Sequence, residues 1–149
     1  MTREEGVIHR YFDAFNRHDI EGVMACFNEQ PVLVGANGKR CAGRAEVRRS
    51  YGAEFAMFPD GHCDLRMCTG NGGHGVAESL FSGTRAERGK VEAIGAEVME
   101  IVDGKIKEIR DYHRSLTAKV AINNELPLVP LLVNAISKLP LAVDTACPC

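Results

Sequence analysis

The sequence predicts an α+β fold, with three helices packed on a mostly antiparallel sheet, and three observations predict it. Apolar residues recur at helical spacing through the N-terminal part of the chain. From residue 62 onward, strand-like runs alternate with turn signals, ending in a hairpin at Asp103-Gly104. The helices come first and the strands afterwards, an order that excludes a parallel α/β architecture.

Each element has its own signal. Residues 4–16 form a helix whose apolar face is Val7, Ile8, Tyr11, Phe12 and Phe15. Asp19 then caps a second helix over 20–27, with Gly22 weakening it slightly. Residues 31–35 read as a short apolar strand, and Ala36-Asn37-Gly38-Lys39 as a turn. A third helix, 44–58, carries Val47, Tyr51, Phe55 and Phe58, and Pro59-Asp60-Gly61 stops it. Strands over 62–69, 76–85 and 90–102 follow, with Glu87-Arg88-Gly89 as a hairpin turn, and 105–114 is the last strand.

Bulk properties narrow the function. At 149 residues, residues 1–116 make one domain that can bury a core without metals or disulfides. The net charge of −2, with no basic run, leaves no electrostatic footprint for nucleic acid. The N-terminus has no apolar secretory segment, so a cytoplasmic location and reduced thiols are expected for the six cysteines. His62, Cys63, Cys68 and His74 match no common zinc spacing, and neither metal nor cofactor is expected. The glycine-rich stretch 71–75 precedes a strand rather than a helix and reads as a turn, not a phosphate cradle. Residues 117–149 form an apolar, proline-broken extension, too short and interrupted to span a bilayer and expected to act as a lid or an oligomer interface.

The hairpin from Val91 to His113 carries two acids that a half-buried strand has little reason to hold, Glu97 and Asp111. Their faces depend on register, because side chains alternate along a strand. A two-residue turn at Asp103-Gly104 pairs Glu97 with Arg110 and leaves Asp111 on the opposite face. A three-residue turn over Val102-Asp103-Gly104, with a bulge, brings Glu97, Ile109, Asp111 and His113 to one face.

The runs YFDAFNRHDIEGVMACF, CAGRAEV, FPD and EVMEIVDGKIKEIRDYH, in that order and spacing, resemble the nuclear-transport-factor-2-like superfamily. Within it the chain is most similar to the SnoaL-like polyketide-cyclase branch, and more distantly to ketosteroid isomerase. The resemblance implies a cone-shaped α+β barrel whose interior is a small-molecule pocket, and it favours the three-residue turn. Tyr11 falls on the tyrosine, and Glu97 on the acid, that stabilise an enolate in the isomerase. Asp111 matches the acid/base aspartate of the cyclases, with His113 beside it. The isomerase's general base would lie near Val34-Gly35, where there is no carboxylate. Phe15, Val34, Tyr51, Phe55, Met99 and Ile109 are the expected pocket lining. The implied activity is proton transfer on a hydrophobic, carbonyl-containing ligand, as a cyclase, isomerase or lyase, by a homodimer. A non-catalytic binding or dimerisation module of the same fold is the alternative, and an epoxide hydrolase, which needs an Asp-Arg-Asp set, a weaker one.

Overall fold

The computed structural model describes residues 1–116, in ten elements. They are α1 (Arg3–Asn16), α2 (Ile20–Ala25), β1 (Phe27–Val34), β2 (Arg40–Ala42), α3 (Arg44–Met57), β3 (His62–Asn71), β4 (His74–Arg85), β5 (Gly89–Val102), β6 (Lys105–Asp111) and β7 (Arg114–Ser115). The chain divides into a unit Met1–Ala118 and a unit Lys119–Cys149, and the expected lid or interface role of 117–149 falls outside the described residues.

Local chemistry sets the helices. Thr2 and Glu5 close a capping box on α1, Glu5 N donating to Thr2 Oγ1 at 3.1 Å and Thr2 N to Glu5 Oε2 at 2.8 Å. The buried stripe Val7, Ile8, Tyr11, Phe12 and Phe15 lays α1 on the sheet, each large side chain contributing about 1.5–3 kcal/mol of burial. The Asp19 carboxylate accepts from Gly22 N at 2.8 Å and starts α2.

The curved sheet runs β2-β1-β6-β5-β4-β3, with β7 paired to β5. Only β1 and β6 pair in parallel among the described strands. Several boundaries differ from the sequence reading: the first strand opens at Phe27 rather than at residue 31, and the last ends at Asp111 rather than at residue 114, with Arg114–Ser115 a separate β7 on β5. The second helix ends at Ala25, because Phe27 already pairs with Ile106 and opens β1. The three-residue β2, pairing Arg40–Ala42 with Val32–Val34, lacks the length to show a period of its own.

The turn after β5 corrects the expected register mechanism. Val102 pairs with Lys105, so Asp103-Gly104 is a two-residue turn with both φ positive (51° and 74°), as a type I′ turn requires. The ladder then slips by one residue beyond Ile106, so that Ile101 faces Ile106 while Glu100 faces Glu108. That bulge, not a longer turn, pairs Glu97 with Asp111 and Met99 with Ile109. The face assignment is the expected one, but its cause lies three residues further along the strand.

Candidate functional site

Between the helices and the concave face of the sheet lies a cavity of about 340 Å³. Tyr11 and Phe15 reach it from α1, Tyr51 and Glu54 from α3, and Glu97, Ile109 and Asp111 from the central hairpin, with His113 just beyond. Among the described residues no lysine or arginine lines it.

Three expected lining residues lie elsewhere. Val34 pairs with Arg110 on the outer face, one residue out of phase with Leu33, which does line the cavity. Met99 has the inward phase but is fully buried in the core. Phe55 packs edge-on against Phe15 (5.3 Å) and stacks on His18 (4.6 Å, 6° between planes), away from the cavity.

The polar groups form two sets. On the helical side the Tyr11 and Tyr51 hydroxyls are hydrogen-bonded at 2.9 Å, and burial pushes both well above the usual tyrosine range. One of the two hydroxyl protons therefore remains to be offered elsewhere. On the sheet side, Asp111 Oδ1 accepts from the backbone N–H of His113 at 2.8 Å and from its Nδ1 at 2.6 Å. His113 Nε2 lies 2.9 Å from Ser79 Oγ, which in turn lies 3.2 and 3.4 Å from the two oxygens of Glu97. Burial raises Glu97 to about 7, with the Asp111 charge adding to it and His113 opposing. Burial alone would lower His113, but the hydrogen bond it donates to Asp111 and the Glu97 charge outweigh it and raise the imidazole.

Arg110 does not interfere, because it faces outward and pairs with Glu108. The site depends instead on Gly95. A Cβ there would stand 2.5 Å from His113 Cα and 2.6 Å from Tyr112 O, so only glycine lets the chain after β6 cross β5 closely. Tyr112 N donates to Ala96 O at 2.9 Å to fix that crossing.

Two site residues escaped the sequence reading. Glu54 occupies a position on the inward stripe of α3, beside Tyr51 and Phe58, where an acid is out of place. Burial raises it to about 7, with Asp111 adding to the effect, and among the described residues it has no hydrogen-bond or ion-pair partner. Ser79 is fully buried in an inward series with Ala77 and Phe81. In both cases the signal was a polar residue in an apolar phase. Cys63 also lines the cavity, and burial pushes its thiol up, which leaves it a poor nucleophile. The described residues contain no cluster fit to hold a metal ion. Cys26, Cys41, Cys63 and Cys68 are free thiols, and no described helix is long and apolar enough to cross a membrane.

Comparison with known proteins agrees with this architecture. A family model described as "SnoaL-like domain" matches residues 8–109. Solved structures with the same fold include a protein from Xanthomonas campestris proposed to be a polyketide cyclase, 22% identical over 74% of this chain and 90% of its own, TM-score 0.67. An epoxide hydrolase/cyclase-like enzyme of pyran ring formation in the polyether salinomycin is 17% identical over 72% of this chain and 87% of its own, TM-score 0.66. A protein with a ketosteroid isomerase-like fold from Catenulispora acidiphila, in complex with trimethylamine, is 16% identical over 70% of this chain and 82% of its own, TM-score 0.62. At these identities the likeness is one of fold. Among curated proteins, none matches.

Proposed function

Since the chain belongs to the SnoaL-like domain family, we propose that it catalyses acid/base proton transfer on an apolar, carbonyl-containing small molecule held in the cavity. The observation that carries this reading is the 2.6 Å Asp111–His113 pair facing a cavity with no lysine or arginine among its described lining residues. Asp111 takes the proton from the carbon next to the carbonyl, and His113, donating twice to Oδ1, holds the carboxylate in place. Charge then develops on the carbonyl oxygen. The Tyr11–Tyr51 pair and a neutral Glu97 or Glu54 supply uncharged donors for it.

The result is an isomerisation or an intramolecular ring closure, according to where the electron pair goes. On this reading the protein works without metal or cofactor, in the cytoplasm, and as a homodimer, for which exposed Met67, Val76 and Tyr112 provide apolar surface. The epoxide-hydrolase alternative needs an arginine between two aspartates, and the described lining offers none.

The test is deuterium exchange at the α-carbon of bicyclic ketones such as 2-tetralone, followed by NMR. Catalysed exchange that Asp111→Asn abolishes, with ketone binding retained, supports the reading. Binding with exchange no faster than buffer makes the protein a carrier or binding module instead.

A further inference from the structure

Ser79 stands at the centre of the sheet-side cluster and has no packing reason to be there. Its neighbours in phase on β4 are Ala77 and Phe81, its side chain is fully buried, and β4 pairs it with Gly95, the residue over which His113 crosses. Its one hydroxyl meets two partners that each have a proton to share, His113 Nε2 at 2.9 Å and Glu97 at 3.2 and 3.4 Å, and it also hydrogen-bonds with the Cys63 thiol. The direct distance from Nε2 to Glu97 Oε1 is 3.9 Å, beyond a hydrogen bond.

A hydroxyl donates one hydrogen bond, and this allows two arrangements with the same number of protons. In the first, His113 is an imidazolium: Nε2–H donates to Oγ, and the Ser79 proton points to the Glu97 carboxylate. In the second, the neutral imidazole keeps its proton on Nδ1, toward Asp111. Ser79 then donates to Nε2, and a protonated Glu97 donates to Oγ. Passing from first to second breaks Nε2–H and forms Oγ–H, while the original Oγ–H breaks and a Glu97 O–H forms. Charge and proton count balance, and no water or further reactant is needed.

We propose that Ser79 relays a proton between His113 and Glu97, so that the imidazole and the buried carboxyl act as one proton reservoir on the cavity floor. The proton affinities suit this, since burial raises Glu97 to about 7, and the Asp111 hydrogen bond and the Glu97 charge raise His113. Other titratable groups face the relay: Asp111 from β6, Glu54 and Tyr51 from α3, Tyr11 from α1, and the Cys63 thiol from β3. The use of the relay rests on the proton-transfer reading. Ser79 passes the imidazolium proton on to Glu97, which gives it to a ligand oxygen and leaves a carboxylate beside a neutral imidazole. Its existence does not rest on that reading.

The relay is tested on the ligand-free protein by ¹⁵N NMR of the imidazoles and ¹³C NMR of the carboxyls from pH 5 to 9. With Ser79 present, the His113 Nε2 and Glu97 carboxyl signals exchange rapidly between their two protonation states and stay sharp through their shared midpoint. In a Ser79→Ala background the charge coupling across 3.9 Å persists, but the exchange slows by about tenfold or more and the signals broaden. Ser79→Thr, which keeps the hydroxyl, restores the fast exchange. Unchanged exchange in the Ala background overturns the relay, as does a wild-type His113 that is blind to Glu97. The ketone-exchange experiment can fail while this comparison succeeds, and the reverse, so the two ideas are separable.

Discussion

The two faces of the β5–β6 hairpin hold the same residue types and give them opposite fates. On the outer face Glu100 meets Lys107 at 2.9 Å and Glu108 meets Arg110. The Lys107 hydrogen bond holds the Glu100 carboxyl below its usual range. On the inner face Glu97 and Asp111 are directly opposite one another, and among the described residues no lysine or arginine lines the cavity they face. There Glu97 is raised to about 7. The difference is one of phase: one step along a strand exchanges a solvated ion pair for a desolvated acid. An acid's chemistry here follows from the face it lies on, and the bulge beyond Ile106 selects that face.

The contrast breaks most sharply at the acids themselves. Asp111→Asn is expected to lower ketone exchange about 100-fold or more, whereas Glu108→Gln, on the outer face, leaves the rate within error. Steady-state rates of the two variants side by side make the comparison.

Stability should show the same asymmetry as pH changes. Glu97 and Glu54 are raised to about 7 in the folded protein, so between their unfolded values and about 7 the folded state binds more protons than the unfolded. Their contribution is therefore present at low pH and lost as pH rises through that window, by up to roughly 3 kcal/mol for each group. The raised His113 acts in the same direction. Glu100, lowered, acts in the opposite one, losing its contribution as pH falls. Urea titrations at pH 5 and 8 should show wild-type stability falling with pH, Glu97→Gln and Glu54→Gln flattening the slope, and Glu100→Gln leaving it in place.

Gly95→Ala sharpens the comparison from the backbone. The methyl meets main-chain atoms of Tyr112 and His113, not the end of a flexible side chain, so the crossing must move. A loss of about 1–3 kcal/mol is expected, and the His113 imidazole signals should lose their coupling to Asp111 and Ser79. Gly104→Ala acts on both faces alike through its positive φ of 74° and should cost about 1–2 kcal/mol by thermal unfolding. Lys107→Ala should do least: it removes an exposed ion pair and leaves the denaturation midpoint and the exchange rate unchanged.

Much of this protein was legible in one dimension. The apolar stripe Val7–Ile8–Tyr11–Phe12–Phe15, the Asp19 cap and the Asp103-Gly104 turn each follow from local rules, and together they give the order of elements that defines the fold class. The acids of the hairpin stood out because a half-buried strand does not need them. What the sequence could not decide was phase and proximity. The bulge beyond Ile106 carries no residue signal of its own, Val34 and Leu33 look alike until β1 pairs with β6, and Glu54 and Ser79 become site residues only where α3 and β4 meet the hairpin. The Asp111–His113–Ser79–Glu97 line joins residues up to 34 positions apart. Its hydrogen bonds, and the burial that raises its carboxyl, exist only once the tertiary fold has excluded water from that side of the sheet.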